Sequence, residues 1–306
     1  MKKFVVGRND VGQRLDRFLE KLMPGVPRGE IYRSLRKKKV KINQKRITAP
    51  DLRLKEGDVA ELYISDSLFP ELEQPFWMGL RPEVTAVYED AHILILNKPS
   101  GLICQAEAEP SLEGYMRAYL WKKGEFDPAK EHGFLPSLCH RIDRNTAGLV
   151  IGAKDAESLR ILNEKIRRRE IKKFYLCETE TPPRPAEGVL SGWLCRDEKR
   201  RKMVPAREDD PDAVRYETRY RVLRMSRPAL VEAELMTGRT HQIRAGFAAA
   251  GYPLAGDVKY GAKKDGTRRY QHLAAYKIVF AFTSDSGILE YLTEKEIALS
   301  TEEAGF

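Results

Sequence analysis

No apolar run in this 306-residue chain approaches the roughly 18 residues that a membrane-spanning helix needs. The first residues, Met1-Lys2-Lys3-Phe4-Val5-Val6-Gly7, hold too short an apolar stretch for a secretory signal. A cytoplasmic protein with no membrane contact is therefore expected. Cysteine is scarce, and Cys104, Cys139, Cys177 and Cys195 stand far apart with no CxxC pair. That spacing argues against a zinc site and fits buried, reduced thiols. His140 and His241 invite a reading as metal ligands or general bases, but no third ligand suggests itself, so no metal is expected. Structural hydrogen bonds to backbone are the expected role of both. Internal repeats and low-complexity segments are absent from the sequence.

Acidic residues fail to balance basic ones in one place only. Residues 1–65 hold 17 Lys or Arg against 8 Asp or Glu, and the rest of the chain holds 37 of each. The whole net charge of +9 thus resides in the first fifth of the chain. Such segregation suggests a polyanion-binding module on a neutral body, with a merely solvated basic face as the alternative. Length also favours two domains.

The module reads as helix, helix, strands. Leu15, Phe18, Leu19 and Leu22 recur at helical spacing, and Pro24-Gly25 closes that helix. A second helix is expected after Pro27, with Ile31 and Leu35 inward and Arg28, Arg33, Arg36, Lys37 and Lys38 elsewhere on it. Val40 to Asn43 alternates like a strand and carries Lys41, followed by Lys45 and Arg46. These eight cations form a candidate phosphate-contacting surface. Glu56-Gly57-Asp58 turns into a strand with Ala60, Leu62 and Ile64 on one face. We take 1–65 as this domain, 66–82 as a linker holding Pro70, Pro75 and Pro82, and 83–306 as the larger domain. Phe69, Phe76 and Trp77 are expected to pack the linker onto the larger domain.

Strands dominate the larger domain, with helices between them. Ile93 to Leu96 is a fully apolar strand running into the turn Asn97-Lys98-Pro99-Ser100-Gly101. Leu149 to Ile151 is another buried strand, and Leu159, Leu162 and Ile166 mark a helix ending in Arg167-Arg168-Arg169. Tyr216 to Val222 alternates like an exposed strand. Thr240 suits a helix N-cap, and Gly251 with Pro253 suits its stop. The expected class is α+β, with a large, mostly antiparallel mixed sheet, flanking helices and the small N-terminal domain.

Two segments concentrate polar residues beside buried strands. HRIDRNTAGLVI at 140–151 sets Asp143 between Arg141 and Arg144. TGRTHQIR at 237–244 offers Arg239, His241, Gln242 and Arg244 around a helix start. An arginine can bind a carboxylate bidentately and hold it ionised in a dry pocket. Spacing alone does not pair Arg244 with Asp143, and a surface ion-pair cluster is an alternative for both segments. The basic run Lys165, Arg167, Arg168, Arg169, Lys172 and Lys173 is a candidate guide for an RNA backbone, or else a solvated helix end. A second run, Arg196 through Lys202, is a weaker candidate in a loop.

HRIDRNTAG closely resembles a motif of the RluA-type pseudouridine synthases. ILNKPSGL at 95–102, KFYL at 173–176, TGRTHQIR at 237–244 and GDVKYG at 256–261 resemble further motifs of that family, in the same order. The N-terminal module is similar to the RNA-binding domain of ribosomal protein S-four. The resemblance covers residues 12–282 and implies a role for each matching residue. Asp143 would be the catalytic aspartate, Arg244 its salt-bridge partner, and Tyr175 a ring against the target base. Arg141 would fill the space of a flipped uridine, and Ile243 would line the uracil pocket. Arg144 and Arg239 are added as substrate-binding candidates. Positions 245–246, read here as Ala-Gly, depart from the family's small apolar residue and histidine; Gln105, Asn145 and Ala147 also depart.

What the resemblance implies is isomerisation of uridine in ribosomal or transfer RNA, by a monomer without a cofactor. Breaking the glycosidic bond and rejoining uracil through carbon-5 changes no oxidation state and needs no donor. A stacked base must first be flipped out, at a cost of a few kcal/mol. Two other classes compete: an RNA-binding assembly factor without catalysis, and a glycosidase. Glycosidases mostly use two carboxylates, and no partner for Asp143 is nominated.

Overall fold

The computed structural model describes residues 1–69, 75–81, 83–128, 131, 133–264, 266 and 268–306. Pro70 and Pro82 of the expected linker lie outside the described residues.

The N-terminal module runs β1 (Lys2–Val5), α1 (Leu15–Leu22), α2 (Arg28–Arg36), β2 (Val40–Ile42), β3 (Lys45–Arg46) and β4 (Val59–Leu62). Its four strands form an antiparallel sheet in the order β1-β4-β2-β3. The expected stripe of Leu15, Phe18, Leu19 and Leu22 is buried against Ile31, Leu35, Val40 and Leu62. The cations fall outside this core because a helix with one apolar stripe must turn its charges to water.

The larger body runs β5 (Thr85–Glu89), β6 (Ile93–Lys98), α3 (Leu112–Lys122), β7 (Ser137–Leu138), β8 (Ala147–Ala153), α4 (Ala156–Arg167) and β9 (Ile171–Thr179). It continues with β10 (Glu187–Asp197), β11 (Lys202–Ala206), β12 (Val214–Arg224), β13 (Ala229–Leu235), α5 (Gln242–Ala249), β14 (Leu273–Phe280) and β15 (Glu296–Ala298). The main path of the sheet is β11-β10-β12-β13-β9-β14-β8-β6-β5, with β15 beside β14 and β7 beside β8. Every pairing is antiparallel except β14 with β8. The protein is thus α+β, as expected.

Both faces of the sheet centre are covered. Leu94, Leu96, Tyr175 and Ala233 face one core with α3 and α5, while Ile93, Ile95, Leu176 and Leu230 face another beside α4. Alternate residues serve opposite faces, so a strand covered twice reads as an unbroken apolar run. β6 is such a strand, with Ile93 to Leu96 no more than 1% exposed.

The segment between the two bodies departs from expectation. Phe69 packs on the N-terminal module, with its ring 6.0 Å from Phe4, rather than on the larger domain. Phe76 is exposed, and Trp77 alone joins the larger core as expected. The two bodies also touch elsewhere: Asn9 donates to Glu131 at 2.9 Å and accepts from the Ala156 amide at 3.0 Å.

Candidate active site

The loop carrying Asp143 is fastened on several sides. Imidazole Nε2 of His140 accepts the Ile151 amide at 3.2 Å, and burial holds its pKa well below the ordinary value. It is therefore a neutral acceptor bound to backbone, the role expected for it. The Ile142 amide and carbonyl both meet Cys104 Sγ at 3.3 Å. Fully buried Lys98 donates to the carbonyls of Pro99 (2.9 Å), Leu102 (2.7 Å) and Arg144 (2.8 Å). Burial pushes its ammonium down to about 8. Gly148 has φ +108°, and a Cβ there would stand 2.1 Å from the Ala275 carbonyl oxygen. Only glycine lets β8 approach β14 so closely at this point.

Across the cavity, α5 begins one residue later than expected. Its N-cap is His241, not Thr240, and His241 takes a left-handed backbone (φ 51°, ψ 21°). The strained turn is held by side chains a propensity rule cannot see. Gln242 accepts from the Arg239 amide (3.0 Å) and the Thr237 hydroxyl (2.7 Å), and donates to the Glu217 carbonyl and the Thr218 hydroxyl, both at 2.9 Å. His241 Nδ1 lies 2.8 Å from the Tyr260 hydroxyl, and its Nε2 lies 3.7 Å from Asp143 Oδ2. Burial lowers the His241 pKa, with Arg244 reinforcing and Asp143 opposing.

Arg244 bridges two carboxylates. Its Nε and Nη2 donate to Asp257 at 2.7 and 2.9 Å, and its Nη1 donates to Asp143 at 3.2 Å. Arg244 and Asp257 are 7% and 2% exposed, so this planar fork works in a dry surrounding. The Tyr260 ring lies 5.0 Å from the guanidinium carbon. The pairing that spacing could not supply is thus present, together with a second acid that sequence reasoning did not assign. Asp257 lies in GDVKYG, a motif noted without a role for its aspartate. Gly256 ahead of it has φ +79°, and a Cβ there would meet the Tyr270 carbonyl oxygen at 2.3 Å.

Asp143, Arg141, Tyr175, Ile243, Arg244 and Arg239 all line one cavity of about 310 Å³. Tyr175 is 6% exposed; burial, then the Asp143 carboxylate, raises its phenol, which stays protonated. Arg141 is exposed at the cavity, while Arg239 donates from Nε to the Arg215 carbonyl at 3.0 Å. Arg144 is not among the lining residues: its exposed guanidinium lies 3.7 Å from Glu109. A larger open cavity of about 620 Å³ lies elsewhere, and there Arg219 pairs with Glu234 at 2.7 Å and Arg221 with Glu232 at 3.4 Å.

On the N-terminal module, Arg36, Lys37, Lys38, Lys45 and Arg46 are exposed, and Lys41 is half-buried with Nζ 3.2 Å from the Tyr63 hydroxyl. Arg28 and Arg33 are also exposed but engage Glu20 and Glu30. Among the described residues, no group of three or more His, Cys, Asp or Glu is placed to hold a metal ion. No helix among them is long and apolar enough to cross a membrane.

Residues 92–249 match the profile of the family described as RNA pseudouridylate synthase, and residues 13–59 match that of the S4 domain. The chain belongs to the RNA pseudouridylate synthase family. An uncharacterized RNA pseudouridine synthase of Mycoplasma capricolum is 32% identical, over 97% of each chain. Ribosomal large subunit pseudouridine synthase C of Escherichia coli is 33% identical, over 93% of this chain and 91% of that one. The solved structure of human RNA pseudouridylate synthase domain containing 4 superposes with a TM-score of 0.55 at 23% identity. It covers 70% of this chain and 87% of that one, and shares the fold. This pseudouridine synthase is an isomerase that converts uridine to pseudouridine in RNA, with an N-terminal S4 RNA-binding domain.

Proposed function

We propose that the enzyme modifies uridines of ribosomal RNA and that Asp143 carries the reaction. The observation that carries the second statement is the bridge Asp143–Arg244–Asp257, whose first two members line the cavity. A guanidinium already clamped by one buried carboxylate presents its remaining N–H to the other and so fixes where the Asp143 carboxylate stands. An ionised carboxylate can attack the anomeric carbon or assist uracil departure. Tyr175 offers a ring face for the extruded base, and Ile243 an apolar wall. Arg141, exposed beside the cavity, has the planar cation suited to the gap a flipped base leaves. The cations of residues 28–46 would hold the RNA by its phosphates. Ribosomal RNA is preferred to transfer RNA because the similar proteins are named for the large ribosomal subunit.

The departure from the family pattern at positions 245–246 is the feature that would favour an assembly factor without catalysis. A Cβ at Gly246 would lie 2.9 Å from the Tyr216 ring, so glycine there accommodates a packing partner away from the cavity lining. The test is to incubate the protein with unmodified large-subunit ribosomal RNA and transfer RNA transcripts and map pseudouridine. Wild type should convert ribosomal sites and Asp143→Asn none. Equal conversion by Asp143→Asn sinks the assignment, and conversion confined to transfer RNA sinks the substrate. Release of free uracil would favour the glycosidase.

A further inference from the structure

Beside the cavity holding Asp143 lies a second groove of about 300 Å³. The two share Ile166, Lys173, Leu235, Gly238 and Arg239 as lining, so they adjoin along these residues. One wall of the groove is the turn from α4 into β9, and the other is the segment Met236–Arg239 ahead of α5.

Its charge is one-sided. Arg167, Arg169, Lys172, Lys173 and Arg239 line it, against a single carboxylate, Glu234, which Arg219 neutralises at 2.7 Å. Among the described residues, Arg169, Lys172, Lys173 and Arg239 make no ion pair with a carboxylate. The floor includes Ile166, Ile171, Leu235 and Met236. Cations along apolar contact surface suit a single nucleic-acid strand, which has phosphates on one side and base faces on the other.

Both walls are braced by side-chain hydrogen bonds that do not involve a ligand. Lys165, expected from sequence to face RNA, is 1% exposed; it donates to Glu170 at 2.7 Å and to the Ser284 hydroxyl at 2.8 Å. Glu170, held down to about 2 chiefly by Lys165, also accepts the Thr283 amide at 3.0 Å. This buried clamp fixes the turn from which Arg169 and Lys172 project. The opposite wall is fixed by Gln242 and by the Glu217 amide, which donates to Thr237 at 2.9 Å. Pre-ordered walls lower the entropy cost of binding.

We propose that this groove holds the single-stranded RNA flank next to the nucleotide in the Asp143 cavity. The proposal rests on the reading of that cavity as the uridine site, but its test does not require catalysis. Arg169→Asn/Lys172→Thr removes two cations; asparagine tolerates the left-handed backbone at Arg169 (φ 62°), and threonine suits β9. An unchanged thermal melt would show that the variant folds. Binding of uridine monophosphate and of an oligouridine of about twelve nucleotides is then measured against salt.

Wild type should bind the longer strand more tightly and with a steeper salt slope. The variant should lose about 1.4 of that slope on the longer strand, at roughly 0.7 per phosphate contact. It should match wild type on the mononucleotide, which the cavity alone accommodates. A wild-type slope on the long strand, or an equal loss on both, overturns the proposal. Failure of the Asp143 reading would instead show as absent pseudouridine with this binding difference intact.

Discussion

Replacing Asp257 by asparagine tests whether the acid behind Arg244 matters as much as the one in front of it. Asparagine keeps the shape and one acceptor oxygen. It removes the charge and turns an NH2 toward a guanidinium N–H that now meets oxygen at 2.7 or 2.9 Å. One charge-assisted hydrogen bond contributes about 1.5–3 kcal/mol, and breaking a buried pair from one side costs about 3–5 kcal/mol. Asp143, at 3.2 Å from Nη1, remains as a countercharge, so the lower end of that range, about 3 kcal/mol, applies. Urea denaturation should show this loss. Arg244 is also freed to swing about its long side chain, which misplaces its contact with Asp143. If half to all of the lost energy had been fixing that geometry, single-turnover conversion should slow by about 10- to 160-fold. Binding of RNA, measured separately, should hold, because Asp257 does not line the cavity. Wild-type rate with reduced stability would show that Asp257 supports the fold alone. Wild-type values for both would refute the argument entirely.

Three further outcomes are expected. Lys98→Met leaves the Pro99 and Leu102 carbonyls without their donor, and should cost on the order of 3 kcal/mol by denaturant titration, with conversion reduced further as the Asp143 loop loosens. His140 has a folded-state pKa well below its ordinary 6.5. Its contribution is therefore present above pH 6.5 and lost as pH falls toward the folded value. His140→Gln should flatten the decline in unfolding free energy between neutral and acid pH, and an unchanged decline would exclude this source. Substituting Arg36, Lys37, Lys45 and Arg46 by glutamine should lower the salt slope of binding to ribosomal RNA by about 3 in total. An unchanged slope would mean that the S4 domain does not grip the backbone through these residues. Substitution is preferred to deletion here because Asn9 ties the module to Glu131 and Ala156.

Local periodicity carried the helices α1 and α2 and the strand β6, because each is decided by residues a few positions apart. The pair Arg244–Asp143 spans 101 residues, and no local rule reaches that far. Resemblance to family motifs supplied it. Asp257 stood in a motif too, but only its geometry gives it a task. Thr240 looked like a cap by composition, whereas the left-handed His241 is held by Tyr260, which lies 19 residues on. Lys165 looked like the other cations of its run until the fold set Glu170 and Ser284 around it. Phe69 stacks on Phe4, 65 residues earlier in the chain, a pairing that no local pattern announces.

Among the described residues, the core of the S4 domain draws on residues between Phe4 and Phe69, whereas Asp143 meets Arg244, which Asp257 holds in turn. Synthesis runs from the N-terminus, and domains fold as units while it proceeds. The growing chain therefore gains a grip on RNA well before it gains a site able to alter it. Ribosome-arrested chains that end before Asp257 should retain RNA yet make no pseudouridine.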